Sequence, residues 1–300
     1  MSALEKVKEL RDVTGAGMQD CKNALKENNN NIEKSIEYLR KKGVLKAAKK
    51  SSRDAAEGLI ILGEDKNTIN LTEINSETDF VAKNEEFINF CKKISETSTK
   101  ANNLEDLNNT KIDGTVIKDL IVNLVSKIGE NIKLRRFKKI SKENFKSAFY
   151  VHNRVNTNLG KIVAVLKYNS KNDKSAQLAS NICMHIAAMS PMALNENNLE
   201  SDFVNKEKKI IEEQIDKIGK KAEIVEKIIK GKLSKVISEN TLLNQKWVID
   251  QELTVNQAIE NFNKEYSDSF EVLDFVKFKV GEGIEVKKID FSEEVKSLTK

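Results

Sequence analysis

Leu59-Ile60-Ile61-Leu62-Gly63-Glu64-Asp65-Lys66-Asn67-Thr68-Ile69-Asn70-Leu71-Thr72-Glu73-Ile74 is a pair of apolar runs around a polar turn. Short runs rich in Ile, Leu and Thr, separated by Gly-Glu-Asp-Lys-Asn, predict a β-hairpin. The next stretch, Asn75-Ser76-Glu77-Thr78-Asp79-Phe80-Val81-Ala82-Lys83, carries the chain from the second strand into a helix whose apolar face is Phe87, Cys91 and Ile94. Another helix face follows at Ile117, Leu120, Ile121, Leu124 and Ile128, and then a strand from Ile132 to Ile140. The order begins again downstream, with strands at Ser147 to His152 and Lys161 to Tyr168, a turn at Asn158-Leu159-Gly160 and a helix from about Lys174 to Met189. Strands and helices in this succession predict an α+β fold. The likeness of Lys127-Ile128-Gly129-Glu130-Asn131-Ile132-Lys133-Leu134-Arg135-Arg136 to Lys279-Val280-Gly281-Glu282-Gly283-Ile284-Glu285-Val286-Lys287-Lys288 favours two related subdomains.

Towards the N-terminus the period is helical. Leu4, Val7 and Leu10 form one face, Met18, Cys21 and Leu25 a second after Gly15-Ala16-Gly17, and Ile32, Ile36 and Leu39 a third, which Gly43 is expected to end. From Arg40 to Arg53 there are seven basic residues and no acidic ones. This is the best linker candidate, either solvated or touching RNA or an acidic protein face. Towards the C-terminus Pro191 fits a helix stop after Met189. Phe203, Ile211, Ile215 and Ile218, then Val225, Ile229, Leu233 and Val236, predict two antiparallel helices turning at Gly219-Lys220-Lys221. Val255, Ile259 and Phe262 mark a helix, Phe270 to Val280 a strand, and Phe291, Val295 and Leu298 a terminal helix.

With 300 residues, 39% hydrophobic and 32% charged, the chain has material for two or three units and a sizeable core. No apolar run approaches the roughly 20 residues of a membrane span, and the N-terminus enters an amphipathic helix without a secretory pattern, so a cytoplasmic location is expected. The net charge of +5 falls short of a dedicated nucleic-acid binder. Cys21, Cys91 and Cys183 are too few and too scattered for a disulfide framework or a metal site and read as reduced, buried thiols.

Catalytic signatures are missing: there is no phosphate loop, no Gly-x-Ser-x-Gly, no His-Glu-x-x-His, and only two histidines. His152 and His185 each suit a structural imidazole, and without a third ligand neither argues for a metal. No enzyme and no cofactor are expected. At Glu77-Thr78-Asp79-Phe80-Val81 two readings stand side by side. Thr78 or Asp79 caps the next helix while Phe80 or Val81 packs beneath it, or the loop presents a carboxylate and an aromatic ring to a partner.

Two stretches resemble the signatures of the elongation factor Ts family: Leu10-Arg11-Asp12-Val13-Thr14-Gly15-Ala16-Gly17-Met18-Gln19-Asp20-Cys21-Lys22-Asn23-Ala24-Leu25 and Asn75-Ser76-Glu77-Thr78-Asp79-Phe80-Val81-Ala82. Supporting matches include Ile36 to Gly43, Lys127 to Ile132, Met184-His185-Ile186-Ala187-Ala188 and Leu242-Leu243-Asn244-Gln245. Departures are Asn30-Asn31 in place of Gly-Asp, Ala222 in place of a proline, and Lys246-Trp247 in place of Pro-Phe. The resemblance implies a ubiquitin-associated-like N-terminal domain (1–54), core subdomains at 55–140 and at 141–199 with 240–289, an inserted helical hairpin (200–239) and a C-terminal helix (290–300).

It also implies a function without covalent chemistry: stimulating the exchange of GDP for GTP on elongation factor Tu by displacing Mg²⁺ and the phosphate loop of that partner. Thr78, Asp79, Phe80 and Val81 would form the partner-binding loop, with Phe80 as a wedge. Val13, Gly15, Gly17, Met18, His152, Met184 and His185 would supply further contacts. Self-association through the hairpin is a further implied possibility, and direct nucleic-acid binding is not required. The competing classes are an adaptor that binds ribosomal RNA or an acidic protein through the segment from Arg40 to Arg53, whose affinity would fall steeply with salt, and a small-molecule enzyme.

Overall fold

The computed structural model describes residues 2–14, 16–215 and 222–285. The expected terminal helix at 290–300, Gly15, and the turn of the helical hairpin lie outside them. Two compact units emerge. One contains the described residues up to Ser141, Asn153–Lys161, and those from Phe278 to 285; the other contains Lys142–His152 and Ile162–Lys277.

The first unit begins with three helices, α1 (Ala3–Thr14), α2 (Met18–Glu27) and α3 (Ile32–Lys50). They share a small core of Val7, Leu10, Cys21, Ala24, Leu25 and Leu39. Asn31 starts α3 by accepting the Lys34 N–H at 2.9 Å. Gly43 does not stop α3, contrary to the sequence expectation. The helix runs on to Lys50 because Gly43 is buried against a later helix, where an added Cβ would lie 3.1 Å from Ser126 Oγ. The segment from Arg40 is therefore mainly helix rather than linker. Six of its seven basic residues engage this chain: Arg40 with Asp119, Lys41 with Glu37, Lys42 and Lys46 with Asp20, Lys50 with the Gly129 carbonyl and Arg53 with Glu77.

Strands β1 (Glu57–Glu64) and β2 (Thr68–Ser76) form the expected hairpin, in register from Glu57 opposite Ser76 to Glu64 opposite Ile69. Asp65 shapes its turn by accepting the backbone N–H groups of Asn67 and Thr68. The helix after the hairpin is α4 (Glu85–Thr97), followed by α5 (Leu104–Asn109), a miniature hairpin of β3 (Lys111–Ile112) and β4 (Thr115–Val116), α6 (Ile117–Ile128) and β5 (Lys133–Ser141). Phe87, Cys91 and Ile94 of α4 and Leu124 and Val125 of α6 bury one face of the sheet with Leu59, Ile61 and Ile74. The short α5 and its neighbouring hairpin carry no clear sequence signal, since six residues cannot show a helical period against their polar surroundings.

In the second unit β6 (Lys146–His152) pairs antiparallel with β8 (Ile162–Asn169), as expected. Their connection is not a simple turn. Leu159–Gly160 forms a separate strand, β7, which pairs with β1, giving the first sheet the order β5-β2-β1-β7. Helix α7 (Ser175–Met189) follows β8, and the hairpin helices are α8 (Ser201–Ile215) and α9 (Ala222–Asn240). The hairpin's base is held where Asn240 O accepts the Met192 N–H at 2.9 Å. A capping box at Thr254 and Gln257 begins α10 (Val255–Tyr266), and β9 (Glu271–Lys279) completes a sheet of order β6-β8-β9. Its core includes Leu166, Tyr168, Ile182, Ile186, Trp247 and Phe270.

The α+β expectation holds. The two similar ten-residue stretches, however, begin in different elements: Lys127 lies in the last turn of a helix, whereas Lys279 ends a strand. All three cysteines are buried and free, and burial pushes the Cys91 and Cys183 thiols up. No described helix is long and apolar enough to cross a membrane.

Candidate functional site

Strand β2 delivers the chain to Ser76 and then turns sharply through Glu77–Phe80 into a single 3-10 turn, Val81–Lys83. The N-cap of α4 is Asn84, whose side-chain oxygen accepts from Glu86 N–H at 2.9 Å and Phe87 N–H at 3.2 Å. Thr78 and Asp79 are thus released from capping. Val81 and Ala82 are buried in the core. Phe80 points the other way and is 75% exposed, the most exposed large apolar side chain among the described residues. Burying Val81 fixes the path of the loop, so that the ring before it stands clear of the surface.

Beside the ring lies Asp79, hydrogen-bonded to Lys83 Nζ at 2.9 Å. That ammonium holds the Asp79 carboxyl below the usual carboxylate range and also approaches the Phe80 ring, 5.7 Å from its centroid. The pair is open to solvent, so the loop offers a negative charge and an aromatic face that a partner can reach without first unfolding it. Behind the loop Ser76 Oγ donates to Thr78 O at 2.9 Å. The Glu130 carboxylate accepts the Thr78 N–H at 3.0 Å and the Thr78 hydroxyl at 2.7 Å.

Val13 and Met18 are exposed on the helical bundle, at 63% and 53%. Val13 and Gly17 border a cavity of about 380 Å³ that is also lined by Leu39, Val44 and Val122. Gly15 falls outside the described residues. In the second unit His152 is exposed at the end of β6, with Nδ1 3.3 Å from the Tyr150 hydroxyl. Met184 is half-buried. His185 is fully buried: one ring nitrogen lies 3.0 Å from Gln245 Oε1, and the other accepts the Val248 N–H at 3.3 Å. These partners assign the proton to Nε2, and burial lowers the ring's pKa, so the imidazole is a neutral strut within its own unit.

The loop residues are therefore contiguous in space as they are in sequence. Sequence reasoning missed their support: Glu130, which meets Thr78, lies 52 positions further along the chain. The only signal was the Lys127 to Ile132 match, which carried no geometry. No group of three or more His, Cys, Asp or Glu side chains among the described residues is placed to hold a metal ion.

Comparison with known proteins gives this arrangement a family. The family model described as Elongation factor TS matches residues 77–282. A protein of a Nitratiruptor species called Elongation factor Ts is 43% identical over 297 residues, covering 96% of each chain. The Elongation factor Ts of Clostridium acetobutylicum is 41% identical over 303 residues, covering 98% of this chain and 97% of its own. That of Rickettsia bellii is 38% identical over 298 residues, covering 98% and 96%. With a family model spanning more than half of its length and relatives matched over nearly all of theirs, the chain belongs to the elongation factor Ts family.

Proposed function

We propose that the chain is a translation factor that binds elongation factor Tu in its GDP state and accelerates the loss of GDP. A GTPase holds its diphosphate with loop N–H groups, a lysine and Mg²⁺, so release is slow while that cage is intact. Phe80 enters the partner's nucleotide-binding domain as a wedge. Asp79 follows it, exchanging Lys83 for donors of the partner and disturbing the surroundings of the metal. Thr78 and Val81 hold the loop from behind. No bond is made or broken in either protein. Linkage requires that the factor weaken GDP binding by the same ratio by which GDP weakens binding of the factor.

The observation that carries this reading is Phe80 itself: an aromatic ring 75% exposed on a loop whose flanking residues Ser76 and Val81 are both buried. Leaving such a ring in water gives the free protein nothing, whereas aromatic anchors dominate the energetics of interfaces. The deciding experiment is the release of a fluorescent GDP analogue from purified elongation factor Tu with and without this chain. Stimulation at substoichiometric amounts of the chain supports exchange; release at the spontaneous rate rejects it.

A further inference from the structure

Resting on the exchange reading, we infer that Glu130 is a positioning residue for the Asp79–Phe80 pair, and that the turn Gly129–Asn131 registers this pair against the exit of helix α3. The loop has no regular backbone ladder across Glu77–Phe80, and the ring and carboxylate at its tip both meet Lys83, itself exposed. What directs the tip is the residue before it. Glu130 takes up both donors of Thr78, the backbone N–H at 3.0 Å and the side-chain hydroxyl at 2.7 Å, which fixes the Glu77–Thr78 peptide and the Thr78 side chain, one residue ahead of Asp79.

The connection is reciprocal. While Glu130 reaches across to the loop, Glu77 of the loop reaches back and accepts the Asn131 N–H at 2.6 Å. Gly129 makes the turn possible by adopting φ 86° at the end of α6, a left-handed conformation that glycine enters without penalty. Three further bonds join the same turn to the chain leaving α3. Lys50 donates to Gly129 O, and the Asn131 side-chain amide donates to Arg53 O at 2.7 Å and to Ser51 O at 3.4 Å; the Arg53 guanidinium also meets Glu77 of the loop at 3.3 Å. One turn thus holds both the tip-bearing loop and the end of the helical bundle.

A loop already fixed in its bound direction need not be ordered when the partner arrives, and that ordering is a recognised cost of association. Loss of Glu130 therefore weakens engagement while leaving Phe80 able to act once engaged. Glutamine at 130 retains the geometry, because its carbonyl oxygen accepts the Thr78 N–H while its amide donates to the Thr78 hydroxyl oxygen.

The test measures GDP release from elongation factor Tu against the concentration of wild type, Glu130→Ala, Glu130→Gln and Phe80→Ala, each verified as folded by circular dichroism at the assay temperature. Expected is about a tenfold rise in the half-saturating concentration for Glu130→Ala, or ~1.4 kcal/mol, with the saturating rate unchanged. Glu130→Gln stays within about threefold of wild type, and Phe80→Ala loses saturating rate. The inference is overturned if Glu130→Ala titrates like wild type, if its saturating rate falls instead, or if Glu130→Gln is as impaired as Glu130→Ala. If Phe80→Ala is also silent, the exchange mechanism itself is wrong; if Phe80→Ala fails while the Glu130 variants are normal, only the positioning role is lost.

Discussion

Replacing Phe80 by alanine removes a ring that is 75% exposed, so the free protein should lose little stability, within about 0.5 kcal/mol as for most surface changes. The effect on the partner is larger. A covered aromatic side chain buries roughly 150–250 Å², so a ring this open leaves on the order of 150 Å² for the partner to cover. At ~25 cal/mol per Å² the ceiling is about 4 kcal/mol. The methyl that alanine keeps and the cost of association bring this to about 2–3 kcal/mol, roughly a 30- to 150-fold loss of stimulated GDP release. Stopped-flow displacement of a fluorescent GDP analogue reads the loss, and a thermal melt reads the stability. Phe87→Ala is the contrast, since Phe87 is fully buried and its truncation should cost about 3–5 kcal/mol of folding stability. A folded Phe80→Ala protein that stimulates release within twofold of wild type would refute the wedge.

Other consequences are open to direct measurement. Burial depresses the His185 pKa, so the unfolded chain binds the proton more readily than the folded one. Stability from this group is complete above the unfolded value of about 6.5 and is lost as pH falls; melts from pH 7.5 to 5 should show a decline that His185→Gln flattens. Glu73, fully buried, is held by Arg135, Arg136, the Asn75 amide and the Gly281 N–H. Glu73→Gln should cost about 3 kcal/mol in urea denaturation, the lower end for a broken buried ion pair because both arginines are partly exposed. Lys83→Met should return the Asp79 carboxyl towards its ordinary range in an NMR titration while the melting temperature stays where it was.

The parts of the fold that could be read from sequence were those whose burial repeats along one element. Leu59–Leu62 is apolar throughout because β1 is buried on both faces, and Phe87, Cys91 and Ile94 recur because one side of α4 meets the core. Contacts between distant segments left no such trace. Gly43 reads as a helix end by local rules, yet the close approach of α6 to that position selects glycine inside a continuous helix. Leu159 and Gly160 read as a turn, although they pair with Ile60 and Ile61. At the candidate site local sequence left Phe80 poised between staple and surface anchor. The choice was made by Asn84, which caps α4, and Val81, which fills the core, leaving the ring outside. Glu130 was present in a matched motif but could not be connected to Thr78 without the fold.

The two-residue strand Leu159–Gly160 also affects how the molecule can be made. Glu57 at the start of β1 bonds to Lys161, 104 positions later, and Glu73 receives the Gly281 N–H from 208 positions away. A polypeptide emerging from the ribosome exposes Asp79 and Phe80 well before the chain that finishes their sheet has been synthesised. Until then β1 has an unpaired border of main-chain donors and acceptors, the kind of edge that invites pairing with a neighbouring chain. Copies broken off midway would therefore display Asp79 and Phe80 on an unfinished mount, and chaperone capture or proteolysis should remove them.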